Sequence, residues 1–215
     1  MPRAVSVRQG GPGQVRVRLD DGRCFTVPEA VWRELQVQAP GPLPPDAERQ
    51  LERQNLLRRL RRRALGLVAV RPRSKWELAS RLAKAAAPEL VAQVVADLEA
   101  QGLVDDARFA REWVQARRTS RGLGAARLRY ELLKRGICPE LVHSALQEAA
   151  EEEEVLAVDV ARRRLPRYAR QPPAAASRRL AAYLARRGFG PATVLRALKA
   201  VGLHPAGSSG TEGEL

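Results

Sequence analysis

The residue types able to do covalent or metal chemistry are few in this chain, and their spacing argues against it. Asp105 and Asp106 are adjacent, and paired carboxylates can hold a hard cation. They follow Gly102-Leu103-Val104 and precede ARFAREWVQARR. That context reads them as the N-cap and first-turn anion of a helix, where carboxylates meet unpaired N–H groups and the positive helix end. Glu151 to Glu154 read the same way, opening a further helix with no partner for acid–base work. Cys24 and Cys138 stand far apart and share no ligand spacing with His143 or His204, so neither a disulfide nor a zinc site is expected. Both thiols are read as structural, packed as small apolar groups. No Walker motif, dinucleotide glycine fingerprint, Ser/His/Asp set or Cys/His set is present. No catalytic residue, metal or cofactor is assigned, and the expectation is a protein that is not an enzyme.

What remains is ionic recognition. The 215 residues carry 38 Lys+Arg against 24 Asp+Glu, a net charge of +14, with 45% hydrophobic residues. The chain is basic yet apolar enough to fold, which excludes a purely disordered basic tail. The excess is +1 over residues 1 to 50, +9 over 51 to 150 and +4 over 151 to 215, so a partner surface is expected chiefly in the middle. Only Lys75, Lys84, Lys134 and Lys199 are lysines. Arginine's planar fork suits phosphate or carboxylate, although a GC-rich genome would enrich arginine for no such reason. No apolar run approaches the roughly 18 residues of a membrane span. The first residues, MPRAVSVR, hold no apolar segment of a secretory signal, so the expected location is the cytoplasm.

The elements that must position these charges follow from periodicity. QVRVRLDDGRCFTV (14 to 27) alternates and turns at Asp21-Gly22, a hairpin, and Ala4 to Arg8 can add a third strand. PEAVWREL (28 to 35) reads as a short covering helix with Pro28 in its first turn, and APGPLPPD (39 to 46) as a break. Beyond it the pattern is helical. Leu56, Leu57, Leu60, Ala64, Leu67 and Val68 form one stripe, and Arg58, Arg59, Arg61, Arg62 and Arg63 project onto the opposite arc.

A repeat organises the rest. KWELASRLAKAAAPELVAQVVADLEAQG (75 to 102), AARLRYELLKRGICPELVHSALQEA (125 to 149) and SRRLAAYLARRGFGPATVLRALKAVG (177 to 202) superimpose. Between the last two, a constant offset of 52 pairs Leu128 with Leu180, Leu132 with Leu184, Gly136 with Gly188, Ile137 with Phe189, Val142 with Val194 and Leu146 with Leu198. Gly136 is expected to end a helix in the left-handed conformation, Cys138 to sit at the next N-cap and Pro139 at the first helical position. Ile137 with Val142, and Phe189 with Val194, are expected as hydrophobic staples. The first copy has Ala86 and Ala87 there, so a less sharply defined turn is expected. A further helix precedes each pair, at about 50 to 70, 106 to 120 and 152 to 169. Phe109 and Trp113 are expected in the core, with no aromatic forming a stacking face with arginine.

The fold class is therefore mainly α: three tandem three-helix repeats forming an elongated, curved array, preceded by a small N-terminal β-hairpin or meander with a short helix. The expected divisions are 1–46 for that extension, 47–104, 105–150 and 151–204 for the repeats, and 205–215 for a disordered tail.

The segment GLVDDARFAREWVQARRTSRGLGAARLRYELLKRGI (102 to 137) resembles the core of the RecX family, regulators of the RecA recombinase. Gly102-Leu103, Asp105-Asp106, Phe109-Ala110, Arg121-Gly122-x-Gly124, Leu128, Glu131-Leu132, Lys134 and Gly136-Ile137 carry the resemblance, and the strand-turn-strand with its helix looks like an extension many members have. The resemblance implies a non-enzymatic negative regulator that binds in the groove of the RecA filament on single-stranded DNA. Such a protein restrains filament growth, ATPase, strand exchange and co-protease activity, and with it the SOS response. Arg117, Arg118, Arg121, Arg127, Arg129, Lys134 and Arg135 are the candidate docking cations, with Arg58, Arg59 and Arg62 secondary. The expected partner is the RecA nucleoprotein filament, with direct contact to single- or double-stranded DNA, no membrane, and a monomeric protein. The alternative is a stand-alone basic repeat protein that competes for DNA.

Overall fold

A computed structural model describes residues 1–203; the tail at 205–215 lies outside the described residues. They fall into two bodies, Met1–Arg73 with Leu78–Val104, and Ser74–Glu77 with the residues from Asp105 onward.

In the first body, β1 (Arg3–Gly11), β2 (Gln14–Leu19), β3 (Cys24–Pro28) and β4 (Gly41–Pro42) form an antiparallel sheet in the order β3-β2-β1-β4. Val17 and Leu19 face inward while Arg16 and Arg18 face solvent, the alternation a half-buried strand requires. The Asp21-Gly22 turn is tied locally: the Arg3 N–H donates to Asp20 at 3.0 Å and the Arg23 N–H to Asp21 at 2.9 Å. The bond from the Arg23 N–H, with the Arg23 guanidinium, holds the Asp21 carboxyl below its ordinary range.

The segment expected to break regular structure instead returns to the sheet. Gly41 and Pro42 pair with β1, and Leu43 is buried. The short helix α1 (Glu29–Glu34) does not cover the sheet alone, since Trp32 and Leu35 are only half-buried. The long helix α2 (Pro45–Val70) begins well before its apolar stripe, because Pro45 has the fixed φ of a first helical position. Its Ala47 and Leu51 join Leu43, Val17 and Phe25 in one cluster. Farther along, Leu60 and Ala64 pack with Leu78 and Leu82 of α3 (Lys75–Leu82) and with Val91, Val94 and Leu98 of α4 (Pro88–Ala100).

The second body holds two three-helix groups. The first is α5 (Asp106–Arg121), α6 (Ala125–Leu133) and α7 (Pro139–Glu148). The second is α8 (Glu153–Arg164) with a 3-10 turn (Leu165–Tyr168), α9 (Pro173–Arg186) and α10 (Pro191–Ala200). All apolar pairs at the 52-residue offset are buried, in two separate cores. Cys138 and Gly190 are the N-caps of α7 and α10, each followed by proline. Cys138 and Cys24 are exposed, however, rather than packed. An N-cap lies at a helix end outside the apolar stripe, and Cys24 takes the outward register on β3.

The matched glycines have a second role that pattern alone does not show. Gly136 and Gly188 have φ of +73° and +92°, the region that favours glycine. A Cβ on Gly136 would lie 2.3 Å from Trp76 Cβ, and one on Gly188 would lie 2.3 Å from the Arg127 backbone nitrogen. Both glycine turns receive the first turn of another helix, α3 at Gly136 and α6 at Gly188. The Ser74 hydroxyl donates to the Arg135 carbonyl at 2.6 Å, while the Gly124 and Ala126 N–H groups donate to the carbonyls of Arg187 and Gly188 at 2.9 and 3.0 Å. Alanine at the equivalent place in the first copy follows from the same geometry, since no three-helix group precedes that copy.

Asp105 is the N-cap of α5, accepting from the Arg108 N–H at 2.9 Å. That bond holds its carboxyl below the ordinary value. Asp105→Ala is expected to cost about 1 kcal/mol at neutral pH. A carboxyl depressed on folding stabilises above its unfolded pKa, so the gap between variant and parent, read by urea melts, closes as pH falls through Asp105's lowered range. Asp106, expected as a first-turn anion, is buried and accepts from the Lys75 N–H at 2.8 Å, satisfying the start of α3.

Candidate partner-binding surface

The middle-repeat cations separate into two kinds. The stripe of α5 that faces its core runs Asp106, Phe109, Ala110, Val114, Arg118, and Arg118 follows Val114 by four residues, on the buried side. Its side chain is 6% exposed; Nη1 donates to the Ala149 carbonyl and Nη2 lies 3.9 Å from Glu153. Arg118 therefore does not belong with the docking cations: it ties α5 to the start of α8, whose Glu153 also accepts from the Ala125 N–H at 3.2 Å. The i+4 spacing from Val114 is the signal in the sequence, masked by the run of basic residues around it.

Arg117 and Arg135 are half-buried and built into the scaffold. Their guanidinium carbons lie 4.0 and 3.7 Å from the centroid of Trp113, which itself stacks on Phe109 at 5.7 Å. Trp113 Nε1 donates to Glu131 at 3.1 Å. Glu131, 12% exposed, also lies 3.6 Å from both Arg117 and Arg127, and Arg135 lies 3.6 Å from Glu77. Aromatic faces do stack with arginine here, contrary to expectation: besides Trp113, Arg127 lies over Tyr130 at 5.5 Å, and Arg164 and Arg187 over Tyr183 at 4.5 and 4.8 Å. Sequence spacing shows Trp113 and Arg117 four apart on one helix but not Arg135, which arrives from beyond α6.

One nearly buried carboxylate thus holds a cationic frame in place, and cation–π contacts fix its guanidiniums. On that frame α6 presents its outer face. Leu128 and Leu132 point into the core, whereas Arg127, Arg129, Tyr130, Leu133 and Lys134 are exposed, Tyr130 by 55% and Leu133 by 44%. At about 100° per residue these positions form one continuous arc. An exposed tyrosine and leucine between three cations form a patch with an apolar centre and a charged rim, the composition of a protein interface. Charge counting alone passes over Tyr130 and Leu133; their signal is apolar residues placed off the core stripe of α6. Arg121 is also exposed, but at the end of α5 beside α8. In the first body, Arg59 and Arg62 are exposed and Arg58 is half-buried. The arc there is not wholly free, because Arg61 donates to Gln101 at 2.5 Å. No group of three or more His, Cys, Asp or Glu able to hold a metal occurs among the described residues.

Residues 105–146 match the second three-helix domain of RecX, and residues 151–198 match the third. The chain is 37% identical over 153 residues to the regulatory protein RecX of Mycobacterium ulcerans (strain Agy99), covering 68% of this chain and 84% of that one. The chain belongs to the RecX family. A second regulatory protein RecX, from Thermobifida fusca (strain YX), is 36% identical over 138 residues, 63% of this chain and 75% of its own. Solved RecX structures share the fold. One crystal structure of a regulatory protein RecX superposes with a TM-score of 0.75 at 20% identity, over 90% of this chain and 97% of that one. RecX from Lactobacillus salivarius gives 0.65 at 16% identity, over 68% and 97%. The α5–α6 segment that carries the sequence resemblance thus lies within a RecX domain. No helix among the described residues is long and apolar enough to cross a membrane.

Proposed function

We propose that this RecX family chain is a non-enzymatic negative regulator of the RecA recombinase. It binds in the groove of the RecA filament on single-stranded DNA and limits filament growth, and with it ATPase, strand exchange and co-protease activity. The observation that carries this reading is the α6 arc, where Arg127, Arg129 and Lys134 flank exposed Tyr130 and Leu133 on a frame held by Glu131. A filament groove lined with carboxylates and DNA phosphate complements the cations. The apolar centre gives a protein partner something that naked DNA lacks. Arg121 adds to the same basic unit, Arg117 and Arg135 act mainly by holding the frame, and Arg59 and Arg62 are a secondary contact. The protein acts in the cytoplasm, as a monomer.

The experiment is a titration of RecA filament disassembly at fixed salt, beside binding to naked DNA across a salt series. The expected result is disassembly well below one protein per RecA subunit, because a cap at a growing end affects the whole filament. A protein that only competes for DNA would need stoichiometric amounts, and its effect would fall with salt as steeply as its DNA affinity does. That second result would overturn the proposal.

A further inference from the structure

A second cationic feature lies apart from the α6 arc, in a cavity of about 270 Å³ between the end of α5, α8, the 3-10 turn and α9. Arg121, Arg163, Arg164, Arg167 and Arg187 line it together with Tyr183, and no carboxylate is among the described lining residues. Five permanently charged groups, Arg164 and Arg187 half-buried and the other three exposed, converge on this one space and give it a positive potential that an anion would neutralise. Several are held in place by the protein. Arg164 and Arg187 lie over the Tyr183 ring at 4.5 and 4.8 Å, and Arg163 Nε donates to the Asp159 carbonyl of its own helix at 3.2 Å. Sequence spacing announces only part of the convergence: Arg163, Arg164 and Arg167 lie in one stretch, while Arg121 and Arg187 come from two others.

We propose that this cavity binds linked phosphoryl groups, the triphosphate class of anion. Charge density decides between phosphate sources. A nucleic-acid strand carries one charge per phosphate at about 3.4 Å along its axis. A cavity of about 270 Å³ therefore holds only a short piece of such a strand and few of its charges. A triphosphate links three phosphoryl groups directly, its terminal one alone carrying about −1.5 to −2 as a phosphate monoester does, and so concentrates more charge in a small volume than a strand does, against five guanidiniums. Tyr183 serves as a shelf for two guanidiniums instead of a free platform for a base, so the site reads phosphate and not nucleobase. This proposal goes beyond RecA binding and is tested without RecA.

Calorimetry on the full chain, with inorganic triphosphate, ATP and a single-stranded oligonucleotide as probes, tests it directly. Triphosphate and ATP are expected to bind alike, and the oligonucleotide to displace neither at equal phosphate concentration. The exposed pair Arg163→Glu with Arg167→Glu is expected to weaken triphosphate at least about tenfold, since each charge-assisted bond lost is itself worth that much. Circular dichroism checks that this variant keeps its helices. If it does not, Arg163→Gln with Arg167→Gln replaces it, with the same loss expected. Arg129→Glu with Lys134→Glu, on the α6 arc, is expected to leave triphosphate binding unchanged. The proposal is overturned by absence of triphosphate binding at millimolar concentration, by ATP binding without triphosphate binding, by displacement by the oligonucleotide, or by a folded cavity variant that binds as the parent does.

Discussion

Gly188→Ala is expected to destabilise the second body by about 3 kcal/mol, combining left-handed backbone strain with overpacking. For a chain of this size that lowers the melting midpoint by roughly 10 °C. The added methyl would lie 2.3 Å from the Arg127 nitrogen and 2.6 Å from Arg127 Cβ, so the clash is with backbone and cannot be relieved by turning a side chain. The α6 first turn would have to leave the α9–α10 turn, releasing the Gly124 and Ala126 N–H bonds to Arg187 and Gly188. Gly202 provides the control. Its φ is +76°, yet a methyl there would meet nothing within 4 Å, so Gly202→Ala carries the strain without the clash and is expected to cost about 1 kcal/mol. Thermal melts of the two variants side by side measure the difference; equal losses would mean that close approach at Gly188 contributes nothing.

Charge reversal on the α6 arc has the largest expected functional effect. Arg129→Glu with Lys134→Glu changes two exposed groups that the Glu131 frame does not use, so the fold is expected to persist. In the proposed docking, each reversal would replace an attraction by a like-charge contact with the acidic groove, which costs several kcal/mol. The dose needed to inhibit RecA ATPase is expected to rise by at least about a hundredfold, with helicity unchanged. Arg59→Glu with Arg62→Glu, in the first body, is expected to shift that dose far less. Arg118→Glu would be a poor probe of binding, since it would place a carboxylate against Glu153 and unfold the link between α5 and α8.

The helical core is legible in the sequence because apolar spacing on a helix reports which side faces inward, and the apolar residues paired at the 52-residue offset are accordingly buried. Gly136, Cys138 and Pro139 announce their turn because backbone conformation restricts what can stand there. The sheet's fourth strand is not legible, since two residues, Gly41 and Pro42, carry no alternation and pair through backbone groups alone. Charge is the least reliable guide. A run of arginines shows a net sign but not which guanidiniums reach solvent, so Arg118 looks like its neighbours Arg117 and Arg121 although its register is a core register. Arg135 over Trp113 and the five-arginine cavity depend on segments brought together only by folding.

Whether the α6 arc acts on a recombinase filament is decided most directly by the ATPase rate of RecA on single-stranded DNA across a range of added protein. Inhibition at a small fraction of one protein per RecA subunit, lost on reversing Arg129 and Lys134, is the predicted result. An unchanged rate at every dose, or inhibition that the reversed variant retains in full, would contradict it.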